Sequence, residues 1–387
     1  MTAAADTAAF AIDGMMPARR LRAESERDVV EAIRAANAGR EAVVLWGGGT
    51  RISIGDPPRR YDTALELSGL RGVVEHEPGD LTITVRAGTT MAELDALLAP
   101  HGQWWPVEVA HPHRATVGGT LASAAGGPSR YRYFHVRDWT IGATAVLGDG
   151  TLARAGGRVV KNVTGYDLTR MYSGSYGTLC ALTELSLKLA PRPRTKLTLR
   201  ADMLGLETAY AVTRELLRAR LPLDAIALVT GLAALAIGPR DLSLYVRLAG
   251  DEATVARLRA DVARRLDVVE GADDVWPRIA ALPAEATTSV RGTWPAARPV
   301  EAYAVSTVWY PGIETLHILD DQEGAELLRQ VREVAESQSG ALVLERAPTA
   351  LRRQLGTWGT PRVPPVIAAR LRERFDPNGV LAPGRLL

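Results

Sequence analysis

Two glycine-rich stretches contain the residues whose types and spacing suit ligand chemistry. The first, Trp46-Gly47-Gly48-Gly49-Thr50-Arg51, follows the apolar run Ala42–Trp46 without a break. Three glycines after a strand permit positive φ and leave backbone N–H groups clear, so they can converge on an anion such as a diphosphate. The same residues also suit a plain tight turn. It is not a Walker A loop, since no Gly-Lys-Ser/Thr follows, and the chain holds no GxGxxG fingerprint. The second stretch, His111 to Gly127, reads HPHRATVGGTLASAAGG. Thr116 suits the cap of a short helix whose first turn holds Gly118 and Gly119. Ala122, Ser123, Ala124 and Ala125 then keep the side chains small. A ligand can lie flat on such a run, with helix-start amides toward its phosphates. A helix packed closely on a sheet explains the same composition. Two such loops far apart in the chain suit a long dinucleotide better than a mononucleotide.

The elements around these loops can be read from periodicity. Ser25 and Asp28 predict a capping box for a helix that Gly39 ends, with Val29, Val30, Ile33 and Ala36 on one face. Strands are predicted at Ala42–Trp46, Thr63–Ser68 and Leu81–Ala87. Thr90 and Glu93 box a further helix that Gly102 closes, and Asp149-Gly150 marks a hairpin. Ala181–Leu189 alternates, with Leu185, Leu187 and Leu189 on one face and Leu182 on the other. Past Pro191-Arg192-Pro193-Arg194 the glycine-rich character stops. Strand–helix–strand units follow (strands 196–201, 225–230 and 242–248; helices 207–220 and 252–266). They predict an antiparallel sheet covered by helices on one face. A helix from Pro365 ends at Phe375-Asp376-Pro377-Asn378-Gly379. The expected organisation is α+β: residues 1–22 a loose tail, 23–192 a ligand-binding domain, 193–345 a second domain, and 346–387 a segment returning to the first.

Composition narrows the function. The 387 residues are 47% hydrophobic and 23% charged, a globular balance, with a net charge of +2. No basic run is interleaved with aromatics, so nucleic acid is not an expected partner. Cys180 is the one cysteine, so this sequence cannot ligate an iron–sulfur cluster or build a disulfide framework. The first residues lack a basic start and an apolar core. The longest uncharged runs, 115–129 and 225–239, fall short of the roughly 20 residues a bilayer span requires. The expectation is a cytoplasmic protein without a transmembrane segment, able to sit at the inner membrane only through partners.

The motifs resemble a known family. GGGT, ATVGGTLAS-AAGG, Arg132-Tyr133, Arg137-Asp138, Ile141-Gly142 and Gly174-Ser175-Tyr176-Gly177-Thr178-Leu179 come in the order of the FAD-binding domain of the vanillyl-alcohol oxidase type, the PCMH fold. Arg158–Leu179 (RVVKNVTGYDLTRMYSGSYGTL) is most similar to the FAD-binding subunit of bacterial glycolate oxidase, the GlcE type, and FDPNGVLAPGRL resembles that family's C-terminal signature. The resemblance implies a PCMH-type domain of two α/β subdomains and a non-covalent FAD, since no histidine or cysteine occupies the Gly47–Thr50 loop. It implies that Trp46 and Gly47 to Arg51 (Gly47, Gly48, Gly49, Thr50, Arg51) hold the diphosphate. Ala115, Thr116, Val117, Gly118, Gly119, Ala122, Ser123 and Gly126 would line the diphosphate and flavin side. Ile141 falls near the adenine half, Gly177 and Leu182 near the flavin, and Pro383 and Gly384 at the cofactor's edge. Phe134 and Cys180 stand where the family has glycine, and both add volume beside the expected path.

For catalysis, a 2-hydroxy-acid dehydrogenase needs a base for the hydroxyl proton and a cation for the carboxylate. The related catalytic subunits carry a metal-binding histidine motif in the second domain. Here that domain has only His317, read as an ordinary strand residue, and His111 and His113 are explained by a loop, so no metal is expected. Arg346 is the candidate for a substrate-carboxylate or flavin partner, a solvated or salt-bridged arginine being the alternative. Lys161, Asn162, Tyr166 and Asp167 could serve the flavin or a subunit contact. The resemblance implies an FAD subunit of a glycolate oxidase or dehydrogenase complex, acting on a 2-hydroxy acid beside a second flavoprotein and an iron–sulfur subunit. A free-standing FAD-dependent alcohol or hydroxy-acid oxidase and a catalytically silent, FAD-stabilised assembly subunit are the competing readings.

Overall fold

The computed structural model describes residues 2–4, 7–157, 167–295, 306–320 and 324–386. The chain divides into two units. The first comprises Met1–Gly126, His135–Arg192 and Pro361–Leu387, the second Gly127–Phe134 and Pro193–Thr360.

In the first unit, β1 (Thr2–Ala4), β2 (Arg19–Arg22), β3 (Val43–Trp46) and β4 (Thr63–Glu66) form a sheet in the order β1-β2-β4-β3. The residues expected as a loose tail therefore supply a strand: β2 runs parallel to β4 in register Arg19 to Thr63. Its arginines hid it from a hydrophobic pattern, yet two of them are ion-paired, Arg19 with Glu41 and Arg20 with Glu66. A second sheet combines β5 (Val73–Glu77), β6 (Thr82–Arg86), β8 (Thr140–Leu147), β9 (Leu152–Gly156) and β10 (Cys180–Lys188), in the order β5-β6-β10-β8-β9. The short β7 (Gln103–Trp104) pairs with β11 (Ala190–Pro191). Leu182 does not face away from Leu185 and Leu187. A bulge between Leu182 and Glu184 reverses the alternation and puts all three in one core.

Both expected capping boxes form, Ser25 with Asp28 on α1 (Glu26–Gly39) and Thr90 with Glu93 on α2 (Met91–Leu98). Arg40, not Gly39, takes the left-handed C-cap at φ 52°. Val29, Ile33 and Ala36 of α1 pack against Leu65, Leu70 and Ala181, where each large side chain contributes about 1.5–3 kcal/mol. The unit also holds α3 (Val117–Ala122), α5 (Leu168–Tyr172) and α12 (Pro365–Phe375). After α12 the chain runs along β3. Val43 N–H donates to Val380 O (2.8 Å) and Ala382 N–H to Val43 O (2.8 Å).

The second unit is built on eight antiparallel strands: β12 (Thr195–Asp202), β13 (Ala225–Thr230), β14 (Leu242–Gly250), β15 (Val269–Glu270), β16 (Thr288–Thr293), β17 (Ser306–Tyr310), β18 (Thr315–Asp320) and β19 (Ala341–Arg346). Their order is β15-β12-β14-β13-β17-β18-β16-β19. On one face α6 (Leu206–Arg218), α8 (Glu252–Ala263) and α10 (Ala325–Ser337) pack with Ile226, Leu228 and Leu244. The other face is covered as well: α7 (Gly231–Ile237) and α9 (Val275–Glu285) pack with Ala225, Ala227 and Val229. Residues 225–229 are apolar at every position, the composition of a strand buried on both sides, so helices on one face alone would leave apolar surface in water.

Two segments fall on different sides of the expected boundaries. Residues 346–360, with α11 (Thr349–Leu355), stay with the second unit, because Leu344 N–H donates to Thr357 O (2.9 Å) and Arg332 Nη2 to Gly356 O (2.8 Å). Gly127–Phe134, with α4 (Arg130–Tyr133), also belongs there. Arg132 Nη1 donates to Ala249 O (3.2 Å), and Tyr131 packs on the sheet's larger core.

Candidate functional site

The first glycine loop leaves β3 through Trp46, which is anchored in the core. Its Nε1 donates to the Tyr61 hydroxyl (2.7 Å), and that hydroxyl donates to Phe10 O (2.9 Å). Burial pushes the Tyr61 phenol far above its ordinary range, so it stays a neutral donor. Trp46 thus supports the loop from inside. At Gly49 the backbone takes φ +70°, and a Cβ there would lie 3.1 Å from the Trp46 ring.

The other two glycines answer a close approach. A Cβ on Gly47 would collide with Thr116 Oγ1, and one on Gly48 with the carbonyl oxygen of Arg114. The two glycine-rich stretches are therefore in direct contact. Arg114 also reaches back, its Nη2 donating to Gly48 O at 3.2 Å. Among the described residues the amides of Gly47, Gly48, Gly49 and Thr50 meet no acceptor, and all four residues are half-buried. Open donors beside a guanidinium on a fixed loop are the kind of arrangement that can take an anion.

The second stretch is pinned differently. Ala115 O accepts from Met91 N–H (2.8 Å), Val117 N–H donates to Thr89 O (2.9 Å) and Gly118 N–H to Ala87 O (2.8 Å). Thr116 caps α3 by accepting from Gly119 N–H (3.1 Å). The first amides of α3 are thus engaged within the protein. Gly118 is needed because a Cβ would lie 2.7 Å from that of Ala87. What this stretch offers a ligand is a smooth surface of small residues. Ser123 Oγ donates to Gly119 O (2.7 Å), and Ala122 O accepts from Tyr176 N–H (2.8 Å). That bond brings in the Gly174–Gly177 turn. Gly177, at φ +72°, abuts Leu45 of β3.

Trp46 to Thr50, Ala115 to Ser123 and Gly177 therefore converge. Leu182 is a core side chain, and Gly126 is the last residue before the chain enters the second unit. Ile141 is the second residue of β8, its carbonyl accepting from Gly157 N–H (3.1 Å), and no hydrogen bond among the described residues joins it to the glycine loops. Pro383 and Gly384 support residues 51–59: Arg59 N–H donates to Pro383 O (2.8 Å), and the buried Arg385 donates to Ile52 O and to Ile54 O (2.5 Å). Cys180 opens β10 with its side chain in the core, where burial pushes its thiol well up. Phe134 is 69% exposed. Lys161, Asn162 and Tyr166 lie outside the described residues, whereas Asp167 caps α5.

In the second unit Arg346 Nε donates to Ala286 O (2.9 Å), a bond that ties β19 to the end of α9. Composition alone did not reveal a buried charge cluster beside it, spread over β19, β16 and β18. Glu345 lies between Arg291 Nε (2.7 Å) and His317 Nδ1 (3.9 Å). The signal was present as polar residues at inward positions of apolar strands. His317 lies within β18, as a strand residue, with this carboxylate beside it. A second buried pair, Arg247 Nε with Asp224 (2.5 Å), has Arg132 of the Arg-Tyr motif 4.0 Å from the same carboxylate. Among the described residues no three His, Cys, Asp or Glu gather as a metal site.

The open amides of the first loop suit a diphosphate, and the small-residue surface beside them suits a flat ring system. Residues 17–156 match the family model described as FAD binding domain. The chain is 32% identical over 366 residues to glycolate oxidase subunit GlcE of Escherichia coli (strain K12), covering 92% of this chain and 96% of that protein. It is 32% identical over 182 residues to glycolate oxidase subunit GlcD of Bacillus subtilis (strain 168), covering 47% of this chain and 39% of the relative. The solved structure of p-cresol methylhydroxylase with substrate bound superimposes with a TM-score of 0.69 over 96% of this chain and 88% of that one. At 14% identity this is a likeness of fold. FAD is the cofactor these relationships support, and among the described residues no helix is long and apolar enough to cross a membrane.

Proposed function

The chain belongs to the GlcE family of glycolate oxidase subunits, FAD-dependent oxidoreductases, and on that premise we propose that it is the FAD-carrying subunit of a complex oxidising a 2-hydroxy acid of the glycolate class. The observation that supports this most is the locked pair of loops, in which the open amides of Gly47–Thr50 stand beside Arg114. When bound, FAD supplies the hydride acceptor. The protein's part is to orient it. The 47–50 amides would hold the diphosphate on a loop that Arg114 grips at Gly48 O, α3 and the Gly174–Gly177 turn would present a flat wall, and residues 380–385 keep the first loop in place. The small residues from Ala115 to Gly127 offer no carboxylate or imidazole to take the hydroxyl proton, and a single cysteine cannot pass electrons through iron–sulfur ligation. A second flavoprotein and an iron–sulfur subunit complete the path in this reading.

Purified chain should be yellow, and acid or heat should release intact FAD, since no histidine or cysteine lies in the 47–50 loop to anchor it. Steady-state assays with glycolate and D-lactate should give poor turnover for the chain alone and full turnover with a partner flavoprotein. Turnover of the isolated chain on the order of 10 per second, an ordinary enzymatic rate, would overturn the subunit reading in favour of a free-standing oxidase.

A further inference from the structure

Arg114 was not among the residues that motif spacing points to, yet it grips the first glycine loop in two ways. Its own carbonyl oxygen lies against Gly48, so close that only glycine fits there. Its guanidinium then donates to the Gly48 carbonyl at 3.2 Å. The peptide bond from Gly48 to Gly49 is trans, as is every described one. In a planar trans peptide the N–H points opposite to the C=O. A Gly48 carbonyl turned toward Arg114 therefore turns the Gly49 N–H the other way. That amide meets no acceptor among the described residues. Gly49, at φ +70°, belongs to a loop that glycine alone makes freely reversible, because without Cβ atoms the peptide can flip at little cost. Something must choose one orientation. A charge-assisted hydrogen bond on the carbonyl is suited to that task.

We infer that Arg114 is a positioning residue: by holding the Gly48 carbonyl it fixes the Gly49 N–H outward as a preformed donor to a diphosphate. The inference rests on the FAD reading above and assigns Arg114 an action through the peptide, distinct from that of a free cation steering an anion. Because Arg114 is exposed, its removal leaves no buried cavity.

The test compares the full chain with Arg114→Leu and Arg114→Gln, titrating FAD by flavin fluorescence and ADP by calorimetry at several salt concentrations. Arg114→Leu should weaken both ligands about 10- to 100-fold, the value of a hydrogen bond from a charged donor. Arg114→Gln keeps a neutral donor and should recover most of the affinity. Its salt dependence should match the wild type, since screening acts on free charge pairs. Melting temperatures without ligand should stay close to wild type. Wild-type ADP affinity in Arg114→Leu would overturn the proposal. So would an Arg114→Gln variant as weak as Arg114→Leu with a shallower salt slope, which would make Arg114 a direct charge. Should Arg114→Leu fail to fold, Arg114→Gln decides alone: near-wild-type affinity supports the proposal, and a tenfold loss sinks it. A wild-type chain that binds neither FAD nor ADP would refute the FAD reading itself.

Discussion

Gly148 stands directly against Asp376: a Cβ added at Gly148 would lie 2.8 Å from the Asp376 Cβ and closer still to its carboxylate. Gly148 N–H donates to Phe375 O (2.8 Å), and the Asp376 carboxylate accepts from Val380 N–H (2.9 Å) and Leu381 N–H (2.8 Å). This buried turn delivers residues 380–382 to β3 and so to the glycine loop. Asp376→Ala should destabilise the first unit by about 2 kcal/mol or more, because two buried N–H groups lose their acceptor. Gly148→Ala should cost a similar amount by overpacking, about 1–3 kcal/mol. Chemical denaturation monitored by tryptophan fluorescence checks both, and an unchanged midpoint in either would show the turn to be dispensable.

The pH response of this turn has a defined sign. Burial raises the Asp376 carboxyl above its ordinary value of 3.8 despite the two amides. A raised carboxyl contributes most to stability below the unfolded value and loses that contribution as pH climbs through the folded one. Wild type should therefore lose stability relative to Asp376→Asn as pH rises through the window just above 3.8. The capping boxes run the other way. The backbone N–H of Glu24 holds Asp28 below its ordinary value, and that of Thr90 does the same for Glu93. Their contribution is present above the unfolded carboxylate values and disappears as pH falls through the lowered ones. Asp28→Asn and Glu93→Gln should flatten the acid limb of the melting profile. Ser25→Ala and Thr90→Ala should cost about 1 kcal/mol each. An acid limb that keeps its slope in the double carboxylate variant would place the acid sensitivity elsewhere.

Phe134 follows α4 at φ 63°, ψ −142°, a backbone region that suits glycine. Its ring is 69% exposed, so little packing offsets the strain. Phe134→Gly should raise stability by about 1 kcal/mol, the lower end of what such conformations store. Thermal melting of the flavin-free protein reads this directly, and a destabilised variant would mean that the ring makes a contact worth more than the strain.

Local signals carried far in this sequence and long-range ones did not. The capping boxes at Ser25 and Thr90 are legible because cap and partner are three residues apart. The glycine loops are legible because glycine clusters are rare after a strand. The engagement of Val117 and Gly118 by Thr89 and Ala87 was not, since it depends on which neighbour lies behind α3. Nor was the role of β2, whose Arg-Arg-Leu-Arg sequence needs the acidic residues Glu41 and Glu66 brought alongside. The Leu182 bulge inverted a clean alternation that sequence alone reads literally. Arg114 looks like any loop arginine until Gly48 is placed next to it.

That placement makes the glycine substitutions the sharpest test of the candidate site. Gly48 does not need a positive φ, as the sequence alone suggests; it needs room, because a Cβ would occupy the position of the Arg114 carbonyl oxygen. A main-chain carbonyl pinned between two turns cannot yield as a flexible side chain can. Gly48→Ala should already separate the two loops, and Gly48→Val should abolish FAD retention. Gly118→Val should do the same for a different reason, by pushing α3 off Ala87 and breaking its 2.8 Å bond from Gly118 N–H. Gly49→Ala is the graded case: strain from φ +70° costs on the order of 1–2 kcal/mol and should weaken FAD about tenfold without eliminating it. Gly157→Ala is the control, since among the described residues nothing lies within 4 Å of a Cβ at that position. Flavin-to-protein absorbance ratios after gel filtration report retention, and far-ultraviolet circular dichroism separates lost cofactor from lost fold. If Gly48→Val and Gly118→Val both kept wild-type flavin content, the locked loop pair would not be the cofactor site.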